Sequence, residues 1–395
     1  MKLKILRVFK RLAEAVLKSL YYVLSMCSPV KEKRVLFVAF HGRGVVDSPK
    51  ALYEYMKNHD EYKDYDLIFT LNKPVPGVKS VKYMSLGFLK ATATSKYWFF
   101  NCKMPAFLYK KNNQIYLQTW HGTPLKRLGH DIIVDKEQKI SRSGLSQDKR
   151  NAAYDADARK YDYMISPNAF STGCFESAFG VERDKLIETG YPRNDYLTNV
   201  TAPEIVDIKK RYDVPEGKKV IFYAPTFRDN AYNTAGYTFK LEVDFKKWKE
   251  VLGDEYVVLF KPHYLIVTDF KEDSDTKDFV KFIDANADIN ELYVISDMLI
   301  TDYSSVFFDY AILNRPVYFY MYDIDEYEGM LRGFYLNVYE DLPGKIYKDE
   351  ESMLKAIKRG EFDADAMELF RERFTYLEDG KATKRVLDIV LGGRH

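Results

Sequence analysis

Residues 297–312 read Asp-Met-Leu-Ile-Thr-Asp-Tyr-Ser-Ser-Val-Phe-Phe-Asp-Tyr-Ala-Ile, and this stretch decides how the rest of the chain is interpreted. The apolar run Met298–Ile300 is typical of a short strand that is buried on both faces. A polar turn follows, and from Val306 onward apolar residues recur at helical spacing. Ser304 and Ser305 stand at the predicted start of this helix, where hydroxyls cap the helix and free N–H groups attract an anion. The pattern predicts a strand, a phosphate-binding turn and a helix, although an ordinary capped helix has the same signature.

The alternation of apolar strands and helices extends outward from this stretch in both directions and falls into two series. Strands that alternate with helices form parallel sheets through right-handed crossovers. We therefore predict an α/β fold of two Rossmann-like domains that face each other across a cleft, with boundaries near residues 30 and 200. Helical residues 351–392 close the second domain. The predicted strands lie at residues 35–40, 66–70, 78–84, 96–100, 114–119 and 163–166, and then at 219–224, 256–260, 279–284, 298–300 and 316–320.

Residues 2–24 have the pattern of an amphipathic helix and begin a strongly basic segment. Residues 1–34 hold nine Lys or Arg and two Asp or Glu, so their net charge is +7, whereas the remaining residues have a net charge of −5. Such a helix fits an anionic membrane surface, and the alternative is a helix packed on its own domain. The apolar positions are Ile5, Phe9, Leu12, Val16, Leu20 and Val23, and the basic positions opposite are Lys4, Arg7, Arg11 and Lys18.

Composition excludes several classes of protein. The longest uncharged run of this region, Ser19–Val30, is shorter than the roughly 20 residues that a membrane-spanning helix needs, and we expect a peripheral protein on the cytoplasmic face. A basic head on a mildly acidic body argues against a nucleic-acid partner. The three cysteines, Cys27, Cys102 and Cys174, have no metal-ligand spacing and fit a reducing compartment.

Polar residues follow the predicted strands at several places, and in open parallel sheets ligands bind beyond the carboxyl ends of the strands. Three of the six histidines occupy such positions, which is a stronger signal than any one motif. No Gly-rich phosphate loop, Gly-x-Ser-x-Gly motif or zinc spacing occurs, and we predict no cofactor and no metal. The residues after strands are His41 and Gly42, His121, Thr226 and Arg228, Lys261 and His263, and Thr301, Asp302, Ser304 and Ser305.

His121 lies in Trp-His-Gly-Thr-Pro-Leu-Lys, residues 120–126. Gly122 permits a tight turn, Thr123 can cap a helix and Pro124 suits its first position, so we expect His121 at a strand-to-helix turn. An imidazole there can take a proton from a hydroxyl near neutral pH. The alternative is a histidine that makes a structural hydrogen bond.

Two basic motifs in the second series predict a diphosphate site. Lys261-Pro-His263 combines a cation and an imidazole, which suits a leaving group on which negative charge develops. Arg228, in Pro-Thr-Phe-Arg-Asp, offers two parallel donors to a phosphate. Either cation could instead be an ordinary solvated surface charge. No Asp-x-Asp pair follows a strand in a position that would plainly hold a metal on the diphosphate, and Asp323 and Asp325 are only a weak candidate.

Five strings together resemble the CDP-glycerol glycerophosphotransferases, which build teichoic acid and related polyol-phosphate polymers. The likeness covers roughly residues 35–390, and it implies a glycosyltransferase-B-like fold on a membrane surface. The strings are His-Gly-Thr-Pro-Leu-Lys, Gly-Tyr-Pro-Arg-Asn-Asp, Tyr-Ala-Pro-Thr-Phe-Arg-Asp, Phe-Lys-Pro-His and Thr-Asp-Tyr-Ser-Ser-Val-Phe-Phe-Asp-Tyr.

The resemblance also implies the reaction and the role of each domain. Glycerol phosphate would pass from CDP-glycerol to a hydroxyl of a lipid-linked acceptor, with release of CMP. The two essential histidines of the family map onto His121, as the base on the acceptor hydroxyl, and His263, at the diphosphate. Residues 1–30 would be the membrane helix, 31–200 the acceptor-side domain and 201–395 the CDP-glycerol domain. His41, Gly42, Gly122 and Thr123 would be acceptor-side residues, whereas Arg228, Thr226, Lys261, Thr301, Asp302, Ser304, Ser305 and Asp309 would bind the donor.

Three alternatives remain open on the sequence. A ribitol-phosphate transferase of the same family would use CDP-ribitol, and a nucleotide-sugar glycosyltransferase would share the fold. A catalytically inactive binding protein would retain the donor site without turnover. Relatives often have tryptophan at Phe227, and this exchange of one aromatic residue for another leaves the role of the motif intact. Polymerases of the family often carry further domains, so we expect an enzyme that adds one or few units, as a primase does. An oligomer is possible.

Overall fold

A computed structural model provides the structure of this chain. It describes the backbone of residues 2–132, 147–226, 232–233, 236–237, 243–261, 273–284, 287–325 and 333–392. Side chains are described over the same ranges except for residues 2–14, 232–233 and 236–237. Two compact units divide the chain, and each contains one large parallel sheet.

The first unit comprises Met1–His121, Gln147–Arg193 and Lys381–His395. Its seven strands are β1 (Lys31–Val38), β2 (Asp66–Leu71), β3 (Ser80–Lys82), β4 (Ser95–Phe100), β5 (Ile115–Gln118), β6 (Tyr163–Ser166) and β7 (Leu186–Glu188). They pair in parallel in the order β3-β2-β1-β4-β5-β6-β7. The helices between them are α2 (Asp47–Asn58), α3 (Leu86–Thr94), α4 (Gln147–Ala158) and α5 (Ala169–Phe179), after an N-terminal α1 (Lys2–Cys27).

Aromatic side chains of the central strands build the core of the first unit. Phe37 packs against Phe69 with ring centroids 5.7 Å apart and against Phe99 at 5.5 Å, and all three are fully buried. Burying one such ring contributes roughly 1.5–3 kcal/mol. Because helices cover both faces of a parallel sheet, these strands are apolar on both sides.

The second unit comprises Gly122–Ser146 and Asn194–Gly380. Its sheet is built of β8 (Lys219–Ala224), β11 (Tyr256–Phe260), β12 (Val280–Phe282), β13 (Met298–Thr301), β14 (Val317–Tyr320) and β15 (Ile346–Tyr347), beside a short hairpin of β9 (Tyr232–Asn233) and β10 (Gly236–Tyr237). The six strands are parallel in the order β12-β11-β8-β13-β14-β15. The accompanying helices are α6 (Asp195–Asn199), α7 (Ala202–Arg211), α8 (Phe245–Leu252), α9 (Ile289–Ile295), α10 (Val306–Tyr310), α11 (Glu350–Lys358) and α12 (Ala364–Phe374).

The predicted α/β class with two parallel-sheet units is confirmed. Every strand that the sequence predicts is present, with ends that differ by a few residues. Strands β7 and β15 and the hairpin were not predicted, because two or three residues are too few to show a period. The cleft between the domains stays a prediction.

Two segments pack in a different unit from the one that their place in the chain suggests. The stretch after His121 belongs to the second unit, although it precedes strands of the first. The last helix, α13 (Ala382–Gly392), belongs to the first unit, where Val386, Leu387 and Val390 join the core near α2. The units therefore differ in these two places from a division of the chain at residue 200.

Helix α1 extends beyond the predicted residues 2–24, and part of it packs against the first unit. Tyr21 is fully buried and its hydroxyl donates to the backbone carbonyl of Tyr109 at 2.7 Å. Ser25, one helical turn later, is also buried. One face of the helix thus joins its own domain.

Another face of α1 leaves an apolar stripe uncovered. Val16, Leu20 and Val23 are 58%, 39% and 58% exposed and follow one another at intervals of four and three residues. In the parts of the chain that the structure describes, no helix has both the length and the apolar character needed to cross a membrane.

Candidate functional site

His121 lies at the carboxyl edge of the first sheet, just after β5. The ring of Trp120 stacks on its imidazole, with centroids 4.4 Å apart and planes 19° from parallel. Phe40, from the end of β1, approaches the same imidazole at 5.6 Å. His121 itself remains exposed. The imidazole is therefore oriented by aromatic neighbours and still accessible to a substrate.

The backbone of Trp120 is held in an unusual conformation, which sets the direction of both rings. Its φ is +51°, in the left-handed region that costs an ordinary residue roughly 1–2 kcal/mol. The side-chain oxygen of Gln118 accepts the backbone N–H of Trp120 at 2.9 Å, which offsets part of this conformational cost. The indole is 8% exposed and packs on Phe175 and Phe179 of α5. The hydrogen bond to Gln118 thus holds the backbone of this turn, and the contacts with α5 hold the indole.

Charged groups of the first unit act on His121. Desolvation by the surrounding protein lowers its pKa below the ordinary value, while the carboxylate of Asp47 raises the pKa and the guanidinium of Arg193 lowers it. The balance keeps the imidazole neutral near neutral pH, in the form that accepts a proton. Asp47 and Arg193 are themselves a buried ion pair at 3.1 Å, with side chains 8% and 7% exposed.

His41 and Gly42 lie at the same edge of this sheet, in the loop after β1. His41 is exposed, and its Nδ1 lies 3.2 Å from the hydroxyl of Tyr83. Gly42 has a φ of +82°, and a Cβ there would approach Tyr83 Cβ to 3.2 Å, so glycine is required on both counts. The structure thus brings the two predicted histidines of the first domain to one edge.

The predicted helix after His121 is wrong. Gly122 and Thr123 begin a stretch that extends along the second unit, where Lys126 forms an antiparallel bridge with Phe334. Pairing to residues 333–335 supplies the hydrogen bonds that a helix would have made, including Tyr335 N–H to the Leu125 carbonyl at 2.9 Å. Thr123 is buried within this second unit rather than placed on the acceptor-side unit.

The loops after β8, β11 and β13 begin at the carboxyl edge of the second sheet, as the sequence predicts, and the structure describes residues 225–226, Lys261 and Asp302–Ser305 there. Thr301 Oγ1 donates to the Ala224 carbonyl at 2.8 Å. The buried carboxylate of Asp302 accepts the backbone N–H of Thr226 at 2.7 Å and that of Tyr303 at 2.6 Å. Asp302 therefore ties two of these loops together.

Ser304 and Ser305 are partly exposed beside these loops. The helix that follows, α10, is short, and the side chain of Ser305 makes no capping hydrogen bond, contrary to the predicted cap. Ser304 Oγ accepts the Val306 N–H at a long 3.4 Å. A Cβ on Gly122 would lie 3.3 Å from Ser305 Oγ, so the start of the 122–132 stretch packs directly on this turn.

Lys261 follows β11 at this edge, and the protein changes the pKa of its ammonium. Burial lowers its pKa to about 8, against the opposing effect of the carboxylates of Asp284 and Asp288. Its ammonium donates to the Asp284 carbonyl at 3.0 Å, and its backbone N–H donates to the Tyr223 carbonyl at 3.1 Å. Binding of an anion would compensate the cost of holding this charge in a partly buried place.

Three carboxylates of the second unit have partners within the fold. Asp309 is 7% exposed and accepts a hydrogen bond from Asn194 at 3.1 Å, which favours a structural role over a ribose contact. Asp323 accepts the Tyr303 hydroxyl at 3.0 Å, whereas Asp325 pairs with Lys348. The two residues of the Asp-x-Asp pair thus serve different neighbours.

Two predicted site residues, Arg228 and His263, lie outside the described residues. Trp120 and the ion pair of Asp47 with Arg193, in the first unit, were not predicted to act at this site. Trp120 gave no signal apart from its place beside a histidine, and the Asp47–Arg193 pair joins positions 146 residues apart. Asp47 follows β1 in the string Asp-Ser-Pro, and Arg193 stands in Gly-Tyr-Pro-Arg-Asn-Asp, one of the five strings given above.

Comparison with known proteins identifies the relatives of this chain. A family model described as CDP-Glycerol:Poly(glycerophosphate) glycerophosphotransferase matches residues 20–392. The teichoic acid poly(glycerol phosphate) polymerase of Staphylococcus epidermidis is 40% identical over 385 residues, which are 94% of this chain and 52% of that protein. The teichoic acid glycerol-phosphate transferase of Staphylococcus aureus is 39% identical over 387 residues, which are 94% of this chain and 96% of that one.

The fold has a close counterpart among solved structures. The wall teichoic acid polymerase TagF superposes with a TM-score of 0.87 and 37% identity, over 98% of this chain and 96% of that one. A variant of TagF has also been solved after a soak with CDPG. The chain thus spans about half the length of the Staphylococcus epidermidis polymerase and almost all of the Staphylococcus aureus transferase.

Proposed function

This chain belongs to the CDP-glycerol:poly(glycerophosphate) glycerophosphotransferase family, and we propose that it transfers glycerol phosphate from CDP-glycerol to a hydroxyl of a membrane-lipid-linked saccharide or polyol-phosphate acceptor. The acceptor oxygen forms a bond to the phosphorus that carries glycerol, the bond from this phosphorus to the bridging oxygen breaks, and CMP leaves. The product extends teichoic acid or a related polymer of the bacterial envelope or capsule. The observation that carries the proposal is a family match that extends through both units.

We assign the base to His121. Its imidazole is exposed and therefore accessible to a substrate. Its lowered pKa keeps the ring neutral, and the stack on Trp120 holds it in one orientation. The proton of the acceptor hydroxyl passes to this ring as the new oxygen–phosphorus bond forms. A positioned base of this kind contributes roughly 100- to 10,000-fold to the rate.

Donor binding is assigned to the carboxyl edge of the second sheet. Lys261 and the partly exposed hydroxyls of Ser304 and Ser305 bind the diphosphate, and the charge on Lys261 stabilises the leaving CMP. Thr226, Thr301 and Asp302 shape the loops through the hydrogen bonds given above. The roles of Arg228 and His263 at the diphosphate rest on the resemblance, since both lie outside the described residues.

Release of CMP tests the activity and the base together. Wild type and His121→Gln are incubated with CDP-glycerol and a lipid-linked disaccharide, and CMP and the extended lipid are measured. We expect acceptor-dependent release by wild type and a loss of at least about 100-fold in the variant. A variant close to wild type would make His121 structural.

The same assay with other donors distinguishes the alternative functions. Turnover with CDP-ribitol but not CDP-glycerol would change the donor and keep the family, whereas turnover with a nucleotide sugar would replace phosphate transfer with glycosyl transfer. Binding of CDP-glycerol without any turnover would indicate an inactive binding protein.

We further propose that α1 attaches the protein to an anionic membrane at its cytoplasmic face. The exposed stripe of Val16, Leu20 and Val23 supports this proposal, because the opposite face of the same helix is occupied by contacts of Tyr21. Apolar side chains of such a helix enter the boundary between head groups and acyl chains, and nearby Lys and Arg attract anionic lipids.

Sedimentation with vesicles tests the attachment. The triple variant Val16→Ser, Leu20→Ser, Val23→Ser is compared with Leu369→Ser, which removes an apolar side chain that is 68% exposed on α12. We expect wild type and the control to sediment with vesicles of anionic phospholipid, and the triple variant to stay in the supernatant. Equal sedimentation of all three would contradict the proposal.

A further inference from the structure

The loop after β1 is held in a backbone conformation that few sequences adopt. Phe40, His41 and Gly42 have φ values of +42°, +57° and +82°, so two residues with a Cβ occupy the left-handed region in succession. Each costs roughly 1–2 kcal/mol in isolation. The side-chain oxygen of Asn101 accepts the backbone N–H of Phe40 at 2.8 Å, and the sulfur of Cys102 accepts the backbone N–H of His41 at 3.4 Å. Strain that the surroundings maintain in this way is characteristic of functional loops.

The loop directs one edge of the His41 imidazole towards the protein. Nδ1 lies 3.2 Å from the Tyr83 hydroxyl and 3.6 Å from Cys102 Sγ. The Tyr83 ring centroid is 5.6 Å from that of the imidazole. Because the residue as a whole is exposed, Nε2 is the polar atom of the ring left for a ligand.

The groups next to His41 determine which nitrogen of its ring carries the proton. Burial raises the pKa of Tyr83 and of the Cys102 thiol to about 12, so both keep their protons and Cys102 is no nucleophile. Desolvation, and then the positive charges of Arg43 and Lys103, lower the pKa of His41, so its ring is neutral. When the Tyr83 hydroxyl donates to Nδ1, the ring proton is on Nε2, which becomes a donor.

The charge around this donor is positive. Arg43 lies two residues after His41 in the same loop, and Lys103 follows Cys102, whose sulfur is 3.6 Å from the His41 ring. The ammonium of Lys103 lies 3.5 Å from the centroid of the Tyr154 ring, and the charges of both residues act on His41.

Two carboxylates act on the groups around His41: Asp47 is compensated by its ion pair with Arg193, and the buried Asp157, which acts on Lys103, is paired with Lys160 at 3.7 Å. An N–H donor on which two positive charges act favours a phosphate oxygen over a neutral hydroxyl.

The position of His41 relates it to the proposed base. Its neighbour Phe40 contacts the His121 ring at 5.6 Å, and consecutive Cα atoms are about 3.8 Å apart. His41 and His121 therefore lie close together at one edge of the first sheet, within reach of one acceptor molecule. We propose that His41, with Arg43 and Lys103, forms a subsite that binds a phosphate group of the acceptor; the proposal rests on the function assigned above. That phosphate is either the last glycerol phosphate of a growing chain or the diphosphate of the lipid carrier.

Kinetics with two acceptors tests the subsite. His41→Gly removes the ring at a φ that glycine adopts without strain, and His41→Asn keeps an N–H donor on a residue that tolerates the left-handed region. We expect His41→Gly to raise the KM of the acceptor by about tenfold or more, the effect of losing one charge-assisted hydrogen bond. His41→Asn should recover part of the loss, and the Kd of CDP-glycerol should stay unchanged in both.

The acceptors separate the two sources of phosphate. One acceptor is a lipid-diphosphate disaccharide, and the other is the same lipid already extended by one glycerol phosphate. A KM raised for the extended acceptor alone assigns the subsite to the polymer phosphate, and a KM raised for both assigns it to the lipid diphosphate. A KM unchanged for both would show that His41 only braces its loop.

A binding measurement keeps the test independent of turnover. Protein labelled with ¹⁵N-histidine and saturated with CMP is titrated with glycerol 3-phosphate. We expect the ring signals of His41 to shift, and those of His59, an exposed histidine stacked on Tyr55 in the same unit, to stay in place. Failure of the transferase assay with a shift at His41 would overturn the proposed function alone. No shift at His41 would overturn the subsite.

Discussion

The indole of Trp120 and the imidazole of His121 are stacked with ring centroids 4.4 Å apart. The two residues are consecutive in the chain and follow the end of β5. The left-handed backbone of Trp120 is what allows two consecutive side chains to lie face to face. Consecutive side chains of an extended strand would point to opposite faces of the sheet. The stack therefore fixes the orientation of the proposed base.

Replacing the indole should change turnover more than acceptor binding. Trp120→Phe keeps an aromatic face for the imidazole, whereas Trp120→Leu leaves the ring free to rotate. We expect kcat to fall about tenfold in the leucine variant and less in the phenylalanine variant, since misorientation of a catalytic group is costly. Steady-state kinetics checks this, and equal kcat values for both variants would show that the stack does not orient the base.

The acid limb of the pH profile should report His121. A base is active only when neutral, so activity falls as the pH drops through its pKa, and that pKa lies below the ordinary 6.5. Asp47 raises this pKa, so in Asp47→Asn the limb should move to still lower pH. Asparagine also tolerates the φ of +61° at this position. The measurement is kcat/KM between pH 5 and 8, and a limb that stays in place in the variant contradicts the coupling. Thermal melting checks the fold, because breaking a buried ion pair costs roughly 3–5 kcal/mol.

Donor affinity should weaken as the pH rises through about 8, where Lys261 loses its charge in the absence of ligand. Lys261→Arg keeps a positive charge throughout this range. We expect its affinity for CDP-glycerol to be independent of pH between 7 and 9, whereas Lys261→Met should bind at least about tenfold more weakly at pH 7. Calorimetric titration at several pH values checks both. Wild-type affinity that did not change with pH would separate Lys261 from the diphosphate.

Gly122→Ala should disturb the serine turn of the second unit. The added Cβ would lie 3.3 Å from Ser305 Oγ, so the hydroxyl must move by a few tenths of an ångström. We expect the Kd of CDP-glycerol to rise about threefold to tenfold, because hydrogen bonds weaken quickly with altered geometry. The matched control is Gly173→Ala, where a Cβ meets nothing within 4 Å and a helix gains roughly 0.5–1 kcal/mol. Combining Gly122→Ala with Ser305→Ala removes the contact, so additive effects in the double variant would argue against it.

The sequence by itself determined the elements of the fold and the sheet edges at which chemistry is placed. Apolar runs such as Val35–Val38 and Met298–Ile300 are readable because a strand buried on both faces must be apolar throughout. His41, His121, Lys261 and the serine pair follow such strands, and their places at the carboxyl edges follow from that order alone.

The tertiary structure decided what surrounds these residues. The stretch from Gly122 pairs with residues 333–335, and α13 packs beside α2, because hydrogen bonds and apolar contacts between segments far apart in the chain outweigh local helix signals. The stack on His121 depends on one left-handed residue, and its electrostatics depend on an ion pair between Asp47 and Arg193. Short-range patterns contain no information about such pairings, since they exist only once the chain has brought distant residues together.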